Sequence, residues 1–482
     1  MDDLLRGLEP KLLWKYFLEL SAIPRGSRQE AAAAAWVAAQ GRALGCEVEV
    51  DEVGNVLLRK AASAGRAERP GVALQAHVDM VCEKNEGTAH DFARDPIPVY
   101  RDGDVLRARG TTLGADDGIG VAAGLAALAT PGLAHGPLEV LVTIDEETGL
   151  TGANAVRPGW LRSRYLLNLD SEEEGELTIG CAGGIDTVGS RPVTRAPAPA
   201  ERVALRLKVS GLKGGHSGVD IAAGRGNALR ILAQVLDAVL GSHDLRLAAV
   251  RGGNKRNAIP REASALVLAD PGREAALRAD VARLAAEWRS ALGALDPGLA
   301  ITVEPAAAEP ALSPGDARAV VGLLLAAPHG VEAMSPDIEG LVQTSTNLAM
   351  ADTRDGQVEV AFLSRSAIDA SKRALGARIA ATCALAGFEA RHGGEYPGWK
   401  PEPGASLVRH VDAAHGALFG KPMVVKAIHA GLECGIIGEK HPGLEMVSLG
   451  PTLKDVHTPD EHVSIPSVER FWRLLCGVLE RL

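Results

Sequence analysis

Side chains that can bind a metal ion or transfer a proton occur where predicted strands end. The apolar run that begins at Val72 ends on His77-Val78-Asp79. Successive side chains of a strand point to opposite faces, so His77 and Asp79 lie on one face. The carboxylate can then fix the tautomer of the imidazole while the other ring nitrogen faces a metal. The alternative is a strand that merely ends on polar residues.

Two further apolar runs end in the same way. Glu146 and Glu147 follow the run 138–144, and Asp170 follows the run 165–169. In open α/β sheets the ligand-binding crevice lies at the carboxyl ends of the strands, which would bring these carboxylates together. Adjacent glutamates repel each other in a solvent-poor site, and a bound cation would relieve that repulsion.

Asp116 and Asp117 lie in the glycine-rich segment Gly110–Gly120, directly before an apolar run that reaches Ala129. The glycines permit a tight turn, and the apolar run predicts a buried helix. Negative charge is favoured at a helix N-terminus, so plain capping is the alternative to metal binding.

A loop near the end of the chain, residues 450–461, adds His457. Together these positions offer two imidazoles and four carboxylates: His77, Asp116, Glu146, Glu147, Asp170 and His457. A pair of metal ions about 3.5–4 Å apart needs a carboxylate between them and further ligands on each side. Imidazole and carboxylate ligands suit zinc, with manganese or cobalt as substitutes. Such a pair supplies hydroxide at neutral pH, and an unligated carboxylate can pass its proton to a leaving amine. The set predicts metal-assisted hydrolysis.

Competing catalytic signatures are absent from the sequence. It has no Gly-x-Ser-x-Gly elbow, no P-loop and no HExxH zinc motif. Cys434 could act as a nucleophile near His429, but a buried structural thiol is the alternative.

Local patterns predict the elements around these residues. Apolar spacing predicts a helix over residues 8–20, and Ser27 with Glu30 indicates a capping box for the alanine-rich helix that follows. Valines that alternate with polar residues around a Gly-Asn turn predict a hairpin over residues 46–60. Residues 424–428 are predicted to form an apolar turn.

At 482 residues the chain is expected to form about two or three domains. Thr187–Arg202 is rich in Arg, Pro and Ala, and His392–Gly404 is rich in Gly and Pro, so each predicts a boundary. Strands and helices alternate between them, and the last segment is too short to fold alone, so it is expected to complete the first sheet. The predicted division is residues 1–186, an inserted domain over 187–396, and a returning segment over 397–482.

The bulk composition excludes several classes of partner. The formal net charge of −10 argues against nucleic acid or an anionic membrane, because both require clustered basic charge. No apolar run approaches the ~18–20 residues of a membrane span, and the acidic N-terminus does not resemble a signal peptide. The six cysteines are far apart and form no CxxC pair, so the sequence predicts a cytoplasmic protein with reduced thiols.

The motifs, taken in order, resemble those of the M20 metallopeptidases, and most closely those of their aminoacyl-histidine dipeptidase branch (Xaa-His dipeptidase, PepD or carnosinase-like). They span residues 75 to 462: QAHVDM, GTTLGADDGIG, IDEETGL, LLNLDSEEEGE, GGHSG, GGNKRNAIPREA and HTPDE. The resemblance implies an α/β fold of two domains, in which a catalytic sheet domain of the zinc-peptidase type carries an inserted α/β lid domain. It also implies a homodimer.

The resemblance implies two Zn²⁺ per chain, with Mn²⁺ or Co²⁺ as substitutes. The implied ligands are His77 and Asp170 for one metal, Glu147 and His457 for the other, and Asp116 as the bridge. It further implies that Asp79 orients His77 and that Glu146 is the general base and acid.

In the inserted domain, the resemblance implies that His216 contacts the substrate carbonyl or its oxyanion, and that Arg365 binds the substrate carboxylate. Asn257 and Gly431 are implied to contact the substrate as well. His216 could instead be only a turn histidine, and Arg365 could pair with any acid. Asp117 departs from the branch, which often has asparagine there; the extra acid could strengthen metal binding or merely cap the helix.

We therefore expect a cytoplasmic, dinuclear zinc dipeptidase that hydrolyses unblocked dipeptides, notably Xaa-His substrates such as β-alanyl-histidine, through a metal-bridging hydroxide. One alternative is another M20-like amidohydrolase, such as a tripeptidase or a deacylase of N-acyl amino acids. A second is a metal-binding homologue without catalysis. The presence of Glu146 argues against the second, because a pure metal site needs no unligated carboxylate beside its ligands.

Overall fold

The structure is a computed structural model that describes residues 2–354 and 356–482. Its helices are α1 (Asp2–Leu5), α2 (Lys11–Ser21), α3 (Ala31–Ala43), α4 (Ala115–Ala129), α5 (Glu146–Gly149), α6 (Thr151–Ala155), α7 (Ala228–Ser242), α8 (Glu274–Leu292), α9 (Pro314–Ala326), α10 (Asp369–Leu385), α11 (Ser406–Phe419), α12 (Glu433–Lys440) and α13 (Ile465–Arg481). The first strands are β1 (Glu47–Val50), β2 (Val56–Lys60), β3 (Val72–His77), β4 (Val99–Asp102), β5 (Val105–Ala108), β6 (Leu138–Thr143), β7 (Tyr165–Asn168), β8 (Glu176–Cys181), β9 (Gly183–Pro192), β10 (Arg195–Ala196) and β11 (Val203–Ser210). The later strands are β12 (Arg246–Gly252), β13 (Ala263–Ala269), β14 (Ala300–Pro305), β15 (Ala311–Leu312), β16 (Gly330–Met334), β17 (Val342–Arg354), β18 (Gln357–Ser366), β19 (Glu389–Tyr396), β20 (Val424–Ile428), β21 (Glu445–Ser448), β22 (Leu453–Lys454) and β23 (His462–Ser464).

Contacts divide the described residues into two compact units. The first consists of the chain up to Gly180, Pro401–Ala427 and Leu432–Leu482, and the second of Cys181–Lys400 with Ile428–Gly431. The boundaries predicted after residues 186 and 396 differ from this division. Residue 186 lies inside β9 and residue 396 ends β19, and these two strands pair with each other in one sheet. The role of the second unit as a lid stays a prediction.

The first unit is built on a sheet in the order β1-β2-β6-β3-β7-β21-β8-β20. β3 lies between β6 and β7 and is parallel to both, and β21 is parallel to β7. Every residue of β3, β6 and β7 is buried, which explains why these strands are mostly apolar and do not alternate with exposed polar residues. The α/β fold is confirmed, and β21 completes the first sheet as predicted.

The alanine- and glycine-rich sequence of α4 lets this helix lie close to its neighbours. Nearly all of its residues are buried, and it packs against α2 and β3. Its N-cap is Gly114, whose φ of 68° is a left-handed conformation that favours glycine. The start of α4 is therefore held beside the end of β3.

The predicted hairpin is confirmed, because β1 and β2 pair antiparallel with Val50 opposite Val56. Two other local predictions are wrong. Ser27 does not cap α3, because the helix begins at Ala31 with Glu30 as its N-cap; the Ser27 hydroxyl instead donates a 2.8 Å hydrogen bond to Asp79 Oδ2. Residues 424–428 form the edge strand β20 rather than a turn, and Val424 donates its N–H to Gly175 O.

The second unit holds an antiparallel sheet in the order β14-β11-β13-β12-β17-β18-β9-β19, with β16 paired to β17. α7 packs against β11 and β13, and α10 packs against β9 and β18. Leu229, Leu232 and Leu236 of α7 belong to a core that includes side chains of these strands. This arrangement agrees with the predicted α/β insert. Among the described residues, no helix combines the length and the hydropathy that a membrane crossing requires.

Candidate metal centre

The parallel pairing of β3, β6 and β7 brings their carboxyl ends to one edge of the sheet. His77 lies opposite Thr143, so Glu146 and Glu147 follow at the same level. Leu169 donates its N–H to Gln75 O, which brings Asp170 to the same edge. The predicted clustering at the strand ends is thus found in the structure.

His77 is buried, with two carboxylates at its Nε2 and a third at its Nδ1. Its Nε2 lies 3.1 Å from Asp116 Oδ1 and 3.4 Å from Asp170 Oδ1, and its Nδ1 lies 3.3 Å from Asp79 Oδ1. Burial acts to lower the pKa of His77, but Asp170 and Asp116 outweigh it and raise that pKa well above its usual value.

His457 approaches the same aspartate from a loop of the C-terminal segment. Its Nε2 lies 3.2 Å from Asp116 Oδ2 and 3.0 Å from the Glu147 carboxylate. Hydrogen bonds to Asp116 and Glu147 raise the pKa of His457 to about 10. The two oxygens of Asp116 therefore face two different histidines.

These donors fit a pair of divalent cations. His77, Asp116 and Asp170 offer ligand atoms within 4.8 Å of one another, as do Asp116, Glu147 and His457, and the two groups share Asp116. A single proton on His77 Nε2 cannot serve both carboxylates beside it, whereas a divalent cation can bind all three groups. Burial and the charge of Asp116 raise the pKa of Asp170 well above its usual value, so ionised Asp170 needs a nearby cation.

Asp79 links His77 to the segment that carries the two glutamates. Its carboxylate accepts hydrogen bonds from the Glu146 N–H at 3.0 Å and the Glu147 N–H at 3.3 Å, besides that of Ser27. Burial acts to raise the pKa of Asp79, but His77 and these donors lower it to about 2. Asp79 is thus an ionised acceptor behind the imidazole.

Glu146 is half-buried, and a carboxylate oxygen of it lies within 4.8 Å of ligand atoms of His77 and Glu147. Burial raises the pKa of Glu146 to about 8, and the charges of Glu433 and Glu147 contribute, while His77 opposes them. A carboxyl group in this environment can hold a proton near neutral pH.

Asp117 is buried beside the bridging position. Its Oδ1 accepts the Gly120 N–H at 3.0 Å, which is the capping role, and its Oδ2 has no hydrogen-bond partner within the described chain. Burial and Asp116 raise the pKa of Asp117 well above its usual value.

Three buried polar residues near the site were not singled out from the sequence. Arg25 donates to backbone carbonyls at the end of β3, and Glu461 accepts backbone N–H groups of the glycine-rich loop. Glu433 accepts hydrogen bonds from Gln75 Nε2 and Thr143 Oγ1, and burial raises its pKa to about 7. Glu461 ends the HTPDE motif, and Glu433 lies two residues after Gly431, so their closeness to residues already singled out was the available signal.

The predicted substrate residues lie in the second unit. Arg365 is buried; its Nη1 donates to Tyr396 Oη at 2.9 Å, its Nε donates to Ser217 Oγ at 3.3 Å, and its Nη2 lies 3.4 Å from His216 Nε2. Arg365 therefore pairs with hydroxyl groups and not with the surface acid of the alternative interpretation.

His216 has a defined tautomer. Its Nδ1 accepts the N–H groups of Gly218 at 3.2 Å and Val219 at 3.1 Å, so the ring proton lies on Nε2. Burial and the charge of Arg365 lower the pKa of His216, which keeps the ring neutral. Two N–H donors, on His216 and Arg365, thus lie side by side and can bind an anion.

Asn257 and Gly431, the other two residues predicted to contact the substrate, lie against the partners of Arg365. Asn257 is exposed, and its carbonyl accepts the Ser217 N–H at 2.8 Å. A Cβ on Gly431 would lie 3.0 Å from Tyr396 Cε2, so this glycine makes room for the tyrosine ring. Cys434 is buried, in line with the structural alternative.

Comparisons with known proteins identify the family of this chain. The sequence profile of peptidase family M20/M25/M40 matches residues 73–481. Over 479 residues, covering 99% of each chain, the protein is 41% identical to the cytosol non-specific dipeptidase of Escherichia coli (strain K12). The crystal structure of aminoacylhistidine dipeptidase from Vibrio alginolyticus is similar with a TM-score of 0.92 and 41% identity, covering 99% of this chain and 97% of that one.

Aminopeptidase PepT from Bacillus cereus shares the fold, with a TM-score of 0.57 at 17% identity over 98% of this chain and 99% of that one. The resemblance inferred from the motifs is confirmed by the family profile and by the full-length relative. The chain therefore belongs to peptidase family M20/M25/M40 and is a hydrolase of peptide bonds.

Proposed function

We propose that this chain is a dinuclear zinc dipeptidase that hydrolyses unblocked dipeptides, Xaa-His dipeptides such as β-alanyl-histidine among them. The observation that carries the proposal is the position of Asp116, whose Oδ1 faces His77 and whose Oδ2 faces His457. One carboxylate between two imidazoles is the arrangement that a pair of metal ions requires. The names of the two similar full-length proteins, both dipeptidases, support the choice of substrate length.

In this proposal His77 and Asp170 hold one cation, Glu147 and His457 hold the other, and Asp116 holds both. When bound, the cations lower the pKa of a water molecule and polarise the peptide carbonyl. Asp79 keeps Nδ1 of His77 protonated, so that Nε2 is free to bind.

Glu146 moves the proton. Its carboxylate takes a proton from the attacking water and delivers it to the nitrogen of the departing amine. The position of Glu146 supports this role, because a carboxylate oxygen of it lies within 4.8 Å of ligand atoms of His77 and Glu147, and a general base must lie within reach of the water that it deprotonates.

The second unit binds the substrate in this proposal. The N–H donors of His216 Nε2 and Arg365 are suited to the carbonyl oxygen and the terminal carboxylate of a dipeptide, respectively. Asn257 and Gly431 contribute to the same binding region. We also propose that the protein is a homodimer in the cytosol; the name of the Escherichia coli relative supports the location.

The test is a substrate panel on metal-free protein reconstituted with Zn²⁺, Mn²⁺ or Co²⁺. The panel contains β-alanyl-histidine, other free dipeptides, a tripeptide, a dipeptide amide and an N-acyl amino acid. We expect turnover of the free dipeptides only, with about two ions bound per chain, and loss of that turnover on chelation. Turnover that is indifferent to chelators, or confined to the tripeptide or the N-acyl amino acid, contradicts the proposal.

A further inference from the structure

Glu461 binds four consecutive backbone N–H groups of the loop that carries Asp116. Its Oε2 accepts from Leu113 at 2.7 Å and Gly114 at 2.9 Å, and its Oε1 accepts from Ala115 at 2.7 Å and Asp116 at 3.4 Å. Glu461 is only 2% exposed, so water does not compete for these bonds. Successive N–H groups that converge in this way form a concave anion site, and here a side chain of the same chain fills it.

Arg25 holds the same loop from its carbonyl side. Its guanidinium donates to Val78 O at 2.9 Å, to Asp79 O at 3.1 Å and to Gly114 O. A Cβ on Gly114 would lie 2.5 Å from Arg25 Nη2, so the loop and the guanidinium fit together only with glycine there. Arg25 thereby joins the end of β3, which carries His77, to the loop of Asp116.

Glu461 also belongs to the turn that carries His457. Its N–H donates to Thr458 O at 3.1 Å, and Thr458 donates its N–H to Asp455 O at 3.2 Å. His457 lies inside this turn with a positive φ of 63°. One buried carboxylate therefore connects the backbone of His457 to the backbone of Asp116.

We propose that Glu461 is a positioning residue that fixes Asp116 between His77 and His457 before any metal binds, with Arg25 as its partner on the loop. The inference rests on the proposed function in that it takes these three residues as ligands. Bonds made to the N–H of Asp116 itself and of the residues before it set where its carboxylate points. Ligand orientation by buried hydrogen-bond partners typically accounts for about 10- to 100-fold in metal affinity.

If Glu461 only capped α4, replacing it would lower the stability of the protein and leave its metal affinity unchanged. The test compares Glu461→Gln with Glu139→Gln, measuring Co²⁺ binding to the metal-free proteins by calorimetry and by visible absorption. Glu139 is a matched control, because it is also buried and accepts the N–H groups of Arg162 and Ser163 at 2.9 Å, outside the site. Each change replaces one oxygen of a buried carboxylate by an amide nitrogen. In Glu461 both oxygens accept backbone N–H groups, whereas in Glu139 Oε2 accepts those of Arg162 and Ser163 and Oε1 accepts from Arg59 Nε at 3.0 Å.

We expect the Co²⁺ dissociation constant of Glu461→Gln to rise by at least about tenfold, with an altered Co²⁺ spectrum, and that of Glu139→Gln to stay unchanged. Equal Co²⁺ affinity in folded Glu461→Gln and wild type would overturn the inference. If wild type itself bound no metal, the proposed function would fail instead.

A measurement on the wild type makes the test independent of whether Glu461→Gln folds. Amide hydrogen exchange over residues 113–116 is followed in the metal-free and the metal-loaded protein. We expect strong protection of these amides in both states, since Glu461 holds them without metal. Protection that appears only after metal is added would mean that the cation orders the loop, and would overturn the inference.

Discussion

Asp79 accepts a hydrogen bond from the backbone N–H of Glu146 at 3.0 Å, while its Oδ1 lies 3.3 Å from His77 Nδ1. The same carboxylate thus orients a proposed ligand and holds the segment that carries the proposed base. Ser27 supplies a further donor to it at 2.8 Å. A change at Asp79 should therefore affect metal binding and turnover together.

We expect Asp79→Asn to weaken zinc binding by about 10- to 100-fold and to lower kcat even at saturating zinc. The amide is neutral, and its nitrogen must replace one of the two oxygens. Oδ1 faces the imidazole and the Glu146 N–H, whereas Oδ2 accepts from Ser27 and the Glu147 N–H, so one of these two pairs of donors loses its acceptor. Zinc affinity by competition with a chelating dye and kcat at saturating zinc are the measurements. Asp280→Asn is the control, because Asp280 also contacts a histidine, His243, at 2.9 Å. Equal losses in both variants would contradict the role of Asp79.

The strand ends of the site were predictable because their signal is local. Mostly apolar runs that end on acids or histidine mark β3, β6 and β7. The parallel pairing of these strands then brings their carboxyl ends to one edge of the sheet. Ser27 was misassigned for the converse reason. The Ser-x-x-Glu pattern favours a capping box, but the hydroxyl bonds to Asp79, a partner distant in sequence.

Distant partners also explain what the sequence did not reveal. Glu461 accepts backbone N–H groups of residues 113–116, and apart from its place in the HTPDE motif nothing in the sequence links it to that loop. The sequence does not mark β17 as a strand, because its first half is Val-Gln-Thr-Ser-Thr-Asn, where buried Thr and Ser replace the apolar residues of a typical strand. Thr344 and Ser364 satisfy their hydroxyl groups with Ser366 and Thr346, which allows this polar strand to be buried.

We expect Glu146→Gln to reduce kcat by at least about 100-fold while the metal content stays that of the wild type. Glutamine keeps the size of the side chain but cannot accept and return a proton. Metal content by elemental analysis and kcat for a free dipeptide are the two readouts. Glu173→Gln, at a surface ion pair with Lys454, is the control and should leave both unchanged. Loss of metal from Glu146→Gln would assign Glu146 to the ligands instead of the base.

Arg365 provides a test of substrate recognition. We expect Arg365→Lys to raise KM for a free dipeptide by about 10- to 100-fold, because lysine cannot reproduce the planar fork that contacts Ser217 and Tyr396 and that we propose binds the substrate carboxylate. The decisive readout is the ratio of kcat/KM for a dipeptide to that for its C-terminal amide. Wild type should prefer the free acid, and the variant should lose that preference.

Arg251→Lys is the control for this substitution, since Arg251 forms an ion pair with Glu309 and contacts none of the side chains that bind Arg365. A variant of Arg365 with low activity but an unchanged preference for the free acid would show that Arg365 does not bind the substrate carboxylate.

The remaining prediction concerns Asp117, where a buried acid stands beside the bridging ligand. Its folded-state pKa is raised well above its usual value of 3.8, chiefly by burial. A raised pKa means that its contribution to stability is fully present below the unfolded pKa and is lost as pH rises towards the folded pKa. Asp117→Asn removes this loss and keeps an oxygen for the Gly120 N–H. We therefore expect metal-free Asp117→Asn to melt at a higher temperature than wild type, by a margin that grows from pH 5 to pH 8.

The same variant separates the two roles considered for Asp117. Asp117 belongs to neither of the two groups of ligand atoms that share Asp116, and one of its oxygens caps α4. We therefore expect its replacement to change zinc affinity by no more than about threefold, well below the 10- to 100-fold expected for a residue that orients a ligand. Zinc titration and thermal melts across the pH range are measured on the same preparations, with Asp237→Asn on α7 as a control acid from the second unit. A melting difference that is constant with pH would contradict the raised pKa. A large loss of zinc affinity would instead give Asp117 a part in metal binding.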